Sequence, residues 1–330
     1  MKILIVGLGS IGRRHLRNLV SLGQTDLLLL RSGKSTMPEE ELQGFQAATD
    51  LDGALRHKPE AAVIATPTAL HLQAAIPLAR AGCHLLLEKP VSHTMEGVPE
   101  LQEAVARGGG HVMVAFQYRH HPGLRTVQRW LKDGAIGRPL TASAHYGDYL
   151  PGWHPWEDYR QAYSARSDLG GGVVLTLCHP LDYLLWLLGD VVQVTAATSA
   201  QAGFGIDVED SAQAVLTFAS GVLGGVHLNY VQRPPLHALR IAGSDGTIHW
   251  DQSDGAARLY REPVGTWQVA EAPAGHERND MFLAEMRAFL EVIAGKAVAE
   301  PGLADGIRSL ELALAILESA RVGRRIDLAH

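Results

Sequence analysis

The amino-acid sequence predicts an α/β domain with a doubly wound parallel sheet over residues 1–121, followed by an α+β domain with a large, mostly antiparallel open sheet over 122–330. Three observations predict it. Up to about residue 120, short, nearly continuous apolar runs alternate with amphipathic helical stretches, as a parallel sheet covered on both faces requires. Beyond that point the runs lengthen, alternate in polarity and are joined by turn signals such as Ser220-Gly221 and Asp245-Gly246, the pattern of antiparallel strands. The length of 330 residues also exceeds what one core usually covers, and about two domains follow from roughly 150 residues each.

In chain order, the candidate strands of the first domain are ILIV (3–6), DLLLL (26–30), AAVIA (61–65), HLLL (84–87) and VMVAF (112–116). Between them lie amphipathic segments such as HLRNLVSLG and ALHLQAAIPLARAG, each closing on a glycine suited to end a helix. The second domain offers LTASAHYGDYL, VVQVTAATSA, SAQAVLTFAS, VLGGVHLNYVQ and LHALRIAGS as strands, then helices near 279–295 and 303–320.

Composition narrows the function classes. Hydrophobic residues make up 46% and charged residues 19%, which suits a folded, water-soluble chain and argues against disorder. A formal charge of -6 without a Lys/Arg stripe recruits neither nucleic acid nor an anionic membrane. The apolar stretch in MKILIVGLGS is too short for a signal peptide, and no run reaches the ~20 apolar residues of a membrane span, so a cytoplasmic protein is expected. Cys83 and Cys178 stand far apart in apolar surroundings and read as buried free thiols.

GLGSIG, Gly7 to Gly12, follows the first strand and opens the first helix. There Gly7 allows the tight turn, Gly9 admits a pyrophosphate, Gly12 permits close helix packing, and the N–H groups of Ser10 and Ile11 open toward phosphate. This is the fingerprint of a Rossmann dinucleotide-binding domain. At the end of the second strand, where an NAD-selective site carries Asp or Glu, the chain has Arg31, Ser32, Gly33 and Lys34. Arginine binds a 2′-phosphate through its fork of donors, so NADP(H) is favoured over NAD(H), with dual specificity as the alternative.

HLLLEKP ends an apolar strand on Glu88, Lys89 and Pro90. In a doubly wound sheet ligands sit at the carboxyl ends of strands, so these charges can serve a cofactor cleft, and the proline stops the ladder.

Together GLGSIG, ATPTALH (65–71), EKP (88–90), FQYRHHP (116–122) and GGGVVLTLCHPLD (170–182) resemble the Gfo/Idh/MocA oxidoreductase family over nearly the whole chain. The resemblance implies that Lys89 and His179 are the catalytic pair, that Thr66, Pro67 and His71 lie along the cofactor, and that the Lys89–Pro90 peptide is cis, while Glu88, Lys89 and Gln117 are placed at the cofactor by their positions at strand ends. Their chemistry is consistent with hydride transfer at a carbinol. A histidine with an ordinary pKa of about 6.5 exchanges the hydroxyl proton, and lysine stabilises the developing negative charge. The segment departs from the family where Thr176 takes the place of an aspartate. Asp182, three residues after His179, is the carboxylate expected to orient the imidazole or bind a sugar hydroxyl.

Residues 146–172, YGDYLPGWHPWEDYRQAYSARSDLGGG, are rich in groups that stack on sugar rings and grip hydroxyls. Trp153, His154, Trp156, Tyr159, Arg160 and Arg166 are candidates for substrate, with Tyr118 and Arg119 beside the nicotinamide; packing of a long loop is the alternative. The histidines, including His120 and His121, show no HxH or HExxH spacing, so no metal is expected. The resulting expectation is an NAD(P)-dependent dehydrogenase or reductase acting on a secondary hydroxyl or ketone of a sugar or nucleotide-linked sugar. It would form a homodimer or homotetramer through the second sheet. An NAD-dependent glycosidase-type enzyme and a nonenzymatic dinucleotide sensor are the alternatives.

Overall fold

The computed structural model describes residues 1–31, 33, 40–154, 156–262 and 264–328. Two compact units divide the chain: Met1–Gln117, Asp168–Gly170 and Arg278–Leu310 form the first, and Tyr118–Ser167, Gly171–Glu277 and Glu311–His330 the second.

The first unit is built on six parallel strands, β1 (Ile3–Val6), β2 (Leu27–Leu30), β3 (Gln46–Ala48), β4 (Ala61–Ile64), β5 (His84–Leu87) and β6 (Val112–Val114), in the order β3-β2-β1-β4-β5-β6. The strand order reverses at β1, as in a doubly wound sheet. The crossover helices include α1 (Ser10–Ser21), α2 (Leu51–Arg56), α3 (His71–Arg80) and α4 (Val98–Gly108). β1, β4 and β5 are buried almost throughout, which is why their sequences read as unbroken apolar runs. β3 escapes such a reading, because it is a three-residue edge strand with Gln46 and Ala47 exposed.

The second unit contains α5 (Pro122–Lys132), α6 (Val173–Thr176) and α7 (His179–Leu188) around a nine-stranded sheet. Its strands are β7 (Pro139–Tyr149), β8 (Val191–Ser199), β9 (Ser211–Phe218), β10 (Leu223–Asn229), β11 (Val231–Gly243), β12 (Gly246–Asp251), β13 (Ala257–Arg261), β14 (Trp267–Ala270) and β15 (Ile326–Asp327). The order is β14-β13-β12-β11-β7-β10-β9-β8-β15, antiparallel except where β10 runs parallel to β7. Alternating burial in β9, with Ala212, Ala214, Leu216 and Phe218 inward, follows the period of two in its sequence.

The last helices are α8 (Arg278–Ile293) and α9 (Leu303–Val322). α8 belongs to the first unit, where Met286 and Phe289 join Ile3, Ile5, Leu16, Leu19 and Leu29 in one core. The apolar stripe of α8 thus closes the face of the sheet on which α1 lies.

Candidate active site

Parallel register aligns the carboxyl ends of the central strands. Val6 is level with Leu30 and Ile64, Ile64 with Leu87, and Leu87 with Val114. The residues immediately beyond, namely Gly7, Arg31, Ala65–Pro67, Glu88–Pro90 and Gln117, therefore emerge along one edge of the first unit. Gly7 has φ +92°, and a Cβ there would meet the Ala65 carbonyl at 2.4 Å. A Cβ on Gly12 would lie 1.9 Å from the Gly7 carbonyl oxygen, so α1 approaches the turn only because that side chain is absent. Gly9 is exposed with open space around it and no side chain caps α1, which leaves the helix N-terminus ready for a pyrophosphate. The residues present thus fit a dinucleotide. Arg31 is half-buried, and its N–H donates to the Ala48 carbonyl at 2.9 Å; Ser32 and Lys34 lie outside the described residues.

Glu88 does not emerge into solvent: it is 7% exposed, and its Oε1 lies 2.8 Å from Nε2 of the fully buried His15 on α1. Its Oε2 accepts from the Lys89 N–H at 3.2 Å. Burial pushes the Glu88 carboxyl up. The His15 hydrogen bond, with His15, Lys89 and His71 close by, outweighs that and holds its pKa below the ordinary value, so it stays ionised. Lys89 itself is half-exposed, and its peptide bond to Pro90 is cis. His71 is 1% exposed, with Nδ1 2.9 Å from the Pro90 carbonyl and Nε2 3.0 Å from that of Thr66. Its ring ties the β4 and β5 turns together. Burial pulls its pKa down against the Glu88 charge and the two carbonyls, and a neutral ring donates to one carbonyl at a time.

In the second unit, His179 opens α7 and is 4% exposed, its ring edge-on to Tyr118 at 4.7 Å between centroids. Tyr118 in turn meets His237 at 4.6 Å, and His237 stacks on Tyr146 at 4.0 Å. Burial drives the pKa of His237 well below the usual histidine range, so its ring is neutral. Arg119 and Asp182, expected to face substrate and imidazole, are joined to each other. The guanidinium donates to the carboxylate at 2.7, 3.0 and 3.2 Å, and both side chains are almost fully buried. Thr176 closes α6 and is buried.

The aromatic segment divides by exposure. Trp153 packs edge-on against Tyr230 at 5.5 Å. The Tyr159 hydroxyl and Arg160 Nε donate to the Phe204 carbonyl at 3.0 and 3.1 Å, which pins one loop to another. Trp156 is 61% exposed beside the His154 ring, and Arg166 is half-buried. Four residues of these surroundings were not anticipated: His15, His237, Glu285 and Glu209, whose Oε1 accepts from the Val174 N–H at 3.0 Å. His15 and Glu285 carried a readable signal, a polar group set within the apolar stripe of its helix. Among the described residues no three His, Cys, Asp or Glu side chains gather to hold a metal. No single described helix is long and apolar enough to cross a membrane.

Comparison with known proteins places this geometry. Residues 1–116 match the model of an oxidoreductase family with an NAD-binding Rossmann fold, and residues 124–249 match a GFO/IDH/MocA C-terminal domain. Among curated relatives, the chain is 27% identical to 1,5-anhydro-D-fructose reductase of Ensifer adhaerens, over 90% of this chain and 84% of that protein. It is also 27% identical to levoglucosan dehydrogenase of Pseudarthrobacter phenanthrenivorans, over 86% of this chain and 84% of the relative. A solved levoglucosan dehydrogenase in complex with NADH superposes with a TM-score of 0.89 at 21% identity, covering 100% of this chain and 99% of its own. The WlbA dehydrogenase from Bordetella pertussis, in complex with NADH and UDP-GlcNAcA, gives 0.83 at 24% identity, covering 100% and 98%. At these identities the solved structures establish the fold, and the two family matches span both units in the order that the glycine turn, Glu88–Lys89–Pro90 and His179 follow along the sequence. The chain therefore belongs to the GFO/IDH/MocA family of oxidoreductases, and its first unit is the NAD-binding Rossmann domain of that family.

Proposed function

We propose that the protein is a dehydrogenase or reductase that interconverts a secondary hydroxyl and a ketone of a sugar, using Lys89 and His179 as the groups that manage charge and proton. The glycine turn after β1 and the Glu88–Lys89–Pro90 turn after β5, on either side of β4 at the same carboxyl edge, carry this reading, because they set a half-buried lysine on the edge that holds the dinucleotide cradle. The nicotinamide, when bound, supplies hydride exchange at carbon. The chain manages the rest. The Lys89 ammonium stabilises negative charge on the carbinol oxygen, and the His179 imidazole takes or returns its proton. Glu88, held ionised by His15, places a negative charge next to Lys89, and the Arg119–Asp182 pair braces the first turn of α7 from which His179 projects. Trp156 and Arg166 are the members of the aromatic segment assigned to the sugar. Relatives that act on levoglucosan and 1,5-anhydro-D-fructose, and one bound to UDP-GlcNAcA, support a cyclic sugar or nucleotide-sugar substrate.

Arg31, standing where an NAD site keeps a carboxylate, favours NADP(H) over NAD(H). The outward rows of β9 and β10 expose Val215 and Leu223 among small and polar residues, a sheet face suited to pairing two copies. The test is turnover followed by nicotinamide absorbance across anhydrosugars, inositols and UDP-sugars with each cofactor. A cofactor-dependent signal with any sugar supports the assignment, and its absence across the panel in protein that binds dinucleotide refutes it.

A further inference from the structure

Glu285 lies on the buried stripe of α8 with Phe282, Met286 and Phe289 and has no solvent exposure. Neither of its carboxyl oxygens meets a hydrogen-bond partner among the described residues. α8 is docked on α1 by an Asn279–Asn18 amide hydrogen bond of 2.9 Å. One turn further on, Phe282 meets the His15 ring edge-on at 6.3 Å. The next turn carries Glu285 on the same face, within electrostatic range of Glu88. His15 Nδ1 is also buried without a partner among the described residues. We infer that Glu285 is a positioning residue for the Glu88–Lys89 turn and acts through the imidazole of His15.

The argument is one of proton count. To donate to the Glu88 carboxylate at 2.8 Å, His15 Nε2 must carry a hydrogen. In a neutral ring Nδ1 is then an acceptor in need of a donor. The Glu285 carboxyl, directly after a small side-chain rotation or through one bridging water, supplies that donor. If the shared proton sits on the ring, Glu285 is instead the acceptor for Nδ1–H. Either arrangement holds the same protons and leaves a single negative charge on the three groups, opposite the Lys89 ammonium. Burial, with the Glu88 charge adding to it, raises the Glu285 pKa well above the ordinary carboxyl value, so the proton is retained at neutral pH. The other charged or titratable groups around this array are Arg14 on α1, whose guanidinium lies 4.8 Å over the Phe282 ring, His71 on α3, and Arg278 at the start of α8.

The experiment compares Glu285→Leu and Glu285→Gln with the parent. It rests on the dehydrogenase reading only for its kinetic arm. Leucine replaces an unpartnered buried carboxyl by an apolar group of similar size, so a merely structural glutamate predicts equal or higher melting temperature and unchanged turnover. The expected result is an equal or higher melting temperature and dinucleotide Kd within about threefold, but kcat lowered at least about tenfold with the sugar KM little changed. Glu285→Gln, whose amide N–H can donate to Nδ1, should restore kcat to within about threefold of the parent. Long-range proton–nitrogen NMR of His15, assigned with His15→Asn, should show similar Nδ1 resonances in parent and Gln variant and a shifted Nδ1 resonance in the Leu variant, where Nδ1 has lost its partner while Nε2 still faces Glu88. Glu285→Met gives the same comparison if the Leu variant does not fold. Parental kcat or an unchanged His15 spectrum in the apolar variant overturns the inference. If the parent turns over no sugar, the dehydrogenase reading falls and the His15 spectrum alone decides: a shifted Nδ1 resonance in the apolar variant supports the inference and an unshifted one overturns it.

Discussion

Replacing Arg119 by leucine should be among the most damaging single changes in the second unit. The Arg119–Asp182 pair is 4% and 2% exposed, makes three hydrogen bonds of 2.7–3.2 Å, and lies against Trp186, whose ring is 5.6 Å from the guanidinium. Leucine leaves the Asp182 carboxylate buried without its main counter-ion, which costs about 3–5 kcal/mol. For a unit of roughly 180 residues that corresponds to a melting temperature lower by about 10 °C. Arg119→Leu combined with Asp182→Leu removes both charges and leaves an apolar contact, so the double variant should return to within about 1 kcal/mol of the parent. Urea titrations followed by tryptophan fluorescence, with calorimetry as a check, measure all three proteins. A single variant within about 1 kcal/mol of the parent, or a double variant no better than the single, would refute the view that a desolvated ion pair organises this region.

Four further outcomes follow from the same geometry. Lys89→Ala should abolish turnover while dinucleotide affinity stays within a few fold; equal activity in variant and parent, measured by steady-state kinetics, would remove Lys89 from the chemistry. Arg31→Asp should shift preference from NADPH toward NADH in fluorescence titrations, and an unchanged ratio would show that Arg31 does not read the 2′-phosphate. Gly12→Ala should lose dinucleotide binding or folding, because its Cβ would stand 1.9 Å from the Gly7 carbonyl oxygen; a parental Kd and melting curve would contradict that close approach. The fourth concerns pH. Burial, aided by neighbouring Arg125 and Arg119 for His120 and by His276 for His121, lowers both histidines to about 4, and His121 Nδ1 accepts the Gly123 N–H that caps α5. The unfolded chain therefore binds more protons between about pH 6.5 and 4. Stability is complete above the unfolded value and falls with acidification toward the folded one, by an order of 3 kcal/mol per histidine at most. Urea midpoints measured from pH 7 to 4 that do not decline would contradict it.

Much of the first unit was legible because its constraints are local. ILIV, AAVIA and HLLL are strands buried on both faces, and an unbroken apolar run is what that environment selects. GLGSIG is equally local, since the turn, the helix start and the tight approach all fall within six residues. β3 stayed hidden because an exposed edge strand of three residues has no pattern. The parallel pairing of β10 with β7 was also hidden, because alternation specifies a face and not a neighbour. Glu88 was read as a charge leaving the sheet, whereas it turns inward to His15, 73 residues away in sequence.

The sequence by itself determined the fold class, the dinucleotide turn and the position of Lys89 at a strand end, since periodicity and glycine placement act over a few residues. The tertiary structure decided how the charges are used. It set Glu88 on His15, Arg119 on Asp182, Tyr159 and Arg160 on the Phe204 carbonyl, and α8 with its buried Glu285 on the first sheet. A charged or polar residue in a sequence shows only that it needs a partner. Which partner it finds depends on burial, which raises the cost of an unmet group and is fixed only when distant segments pack together.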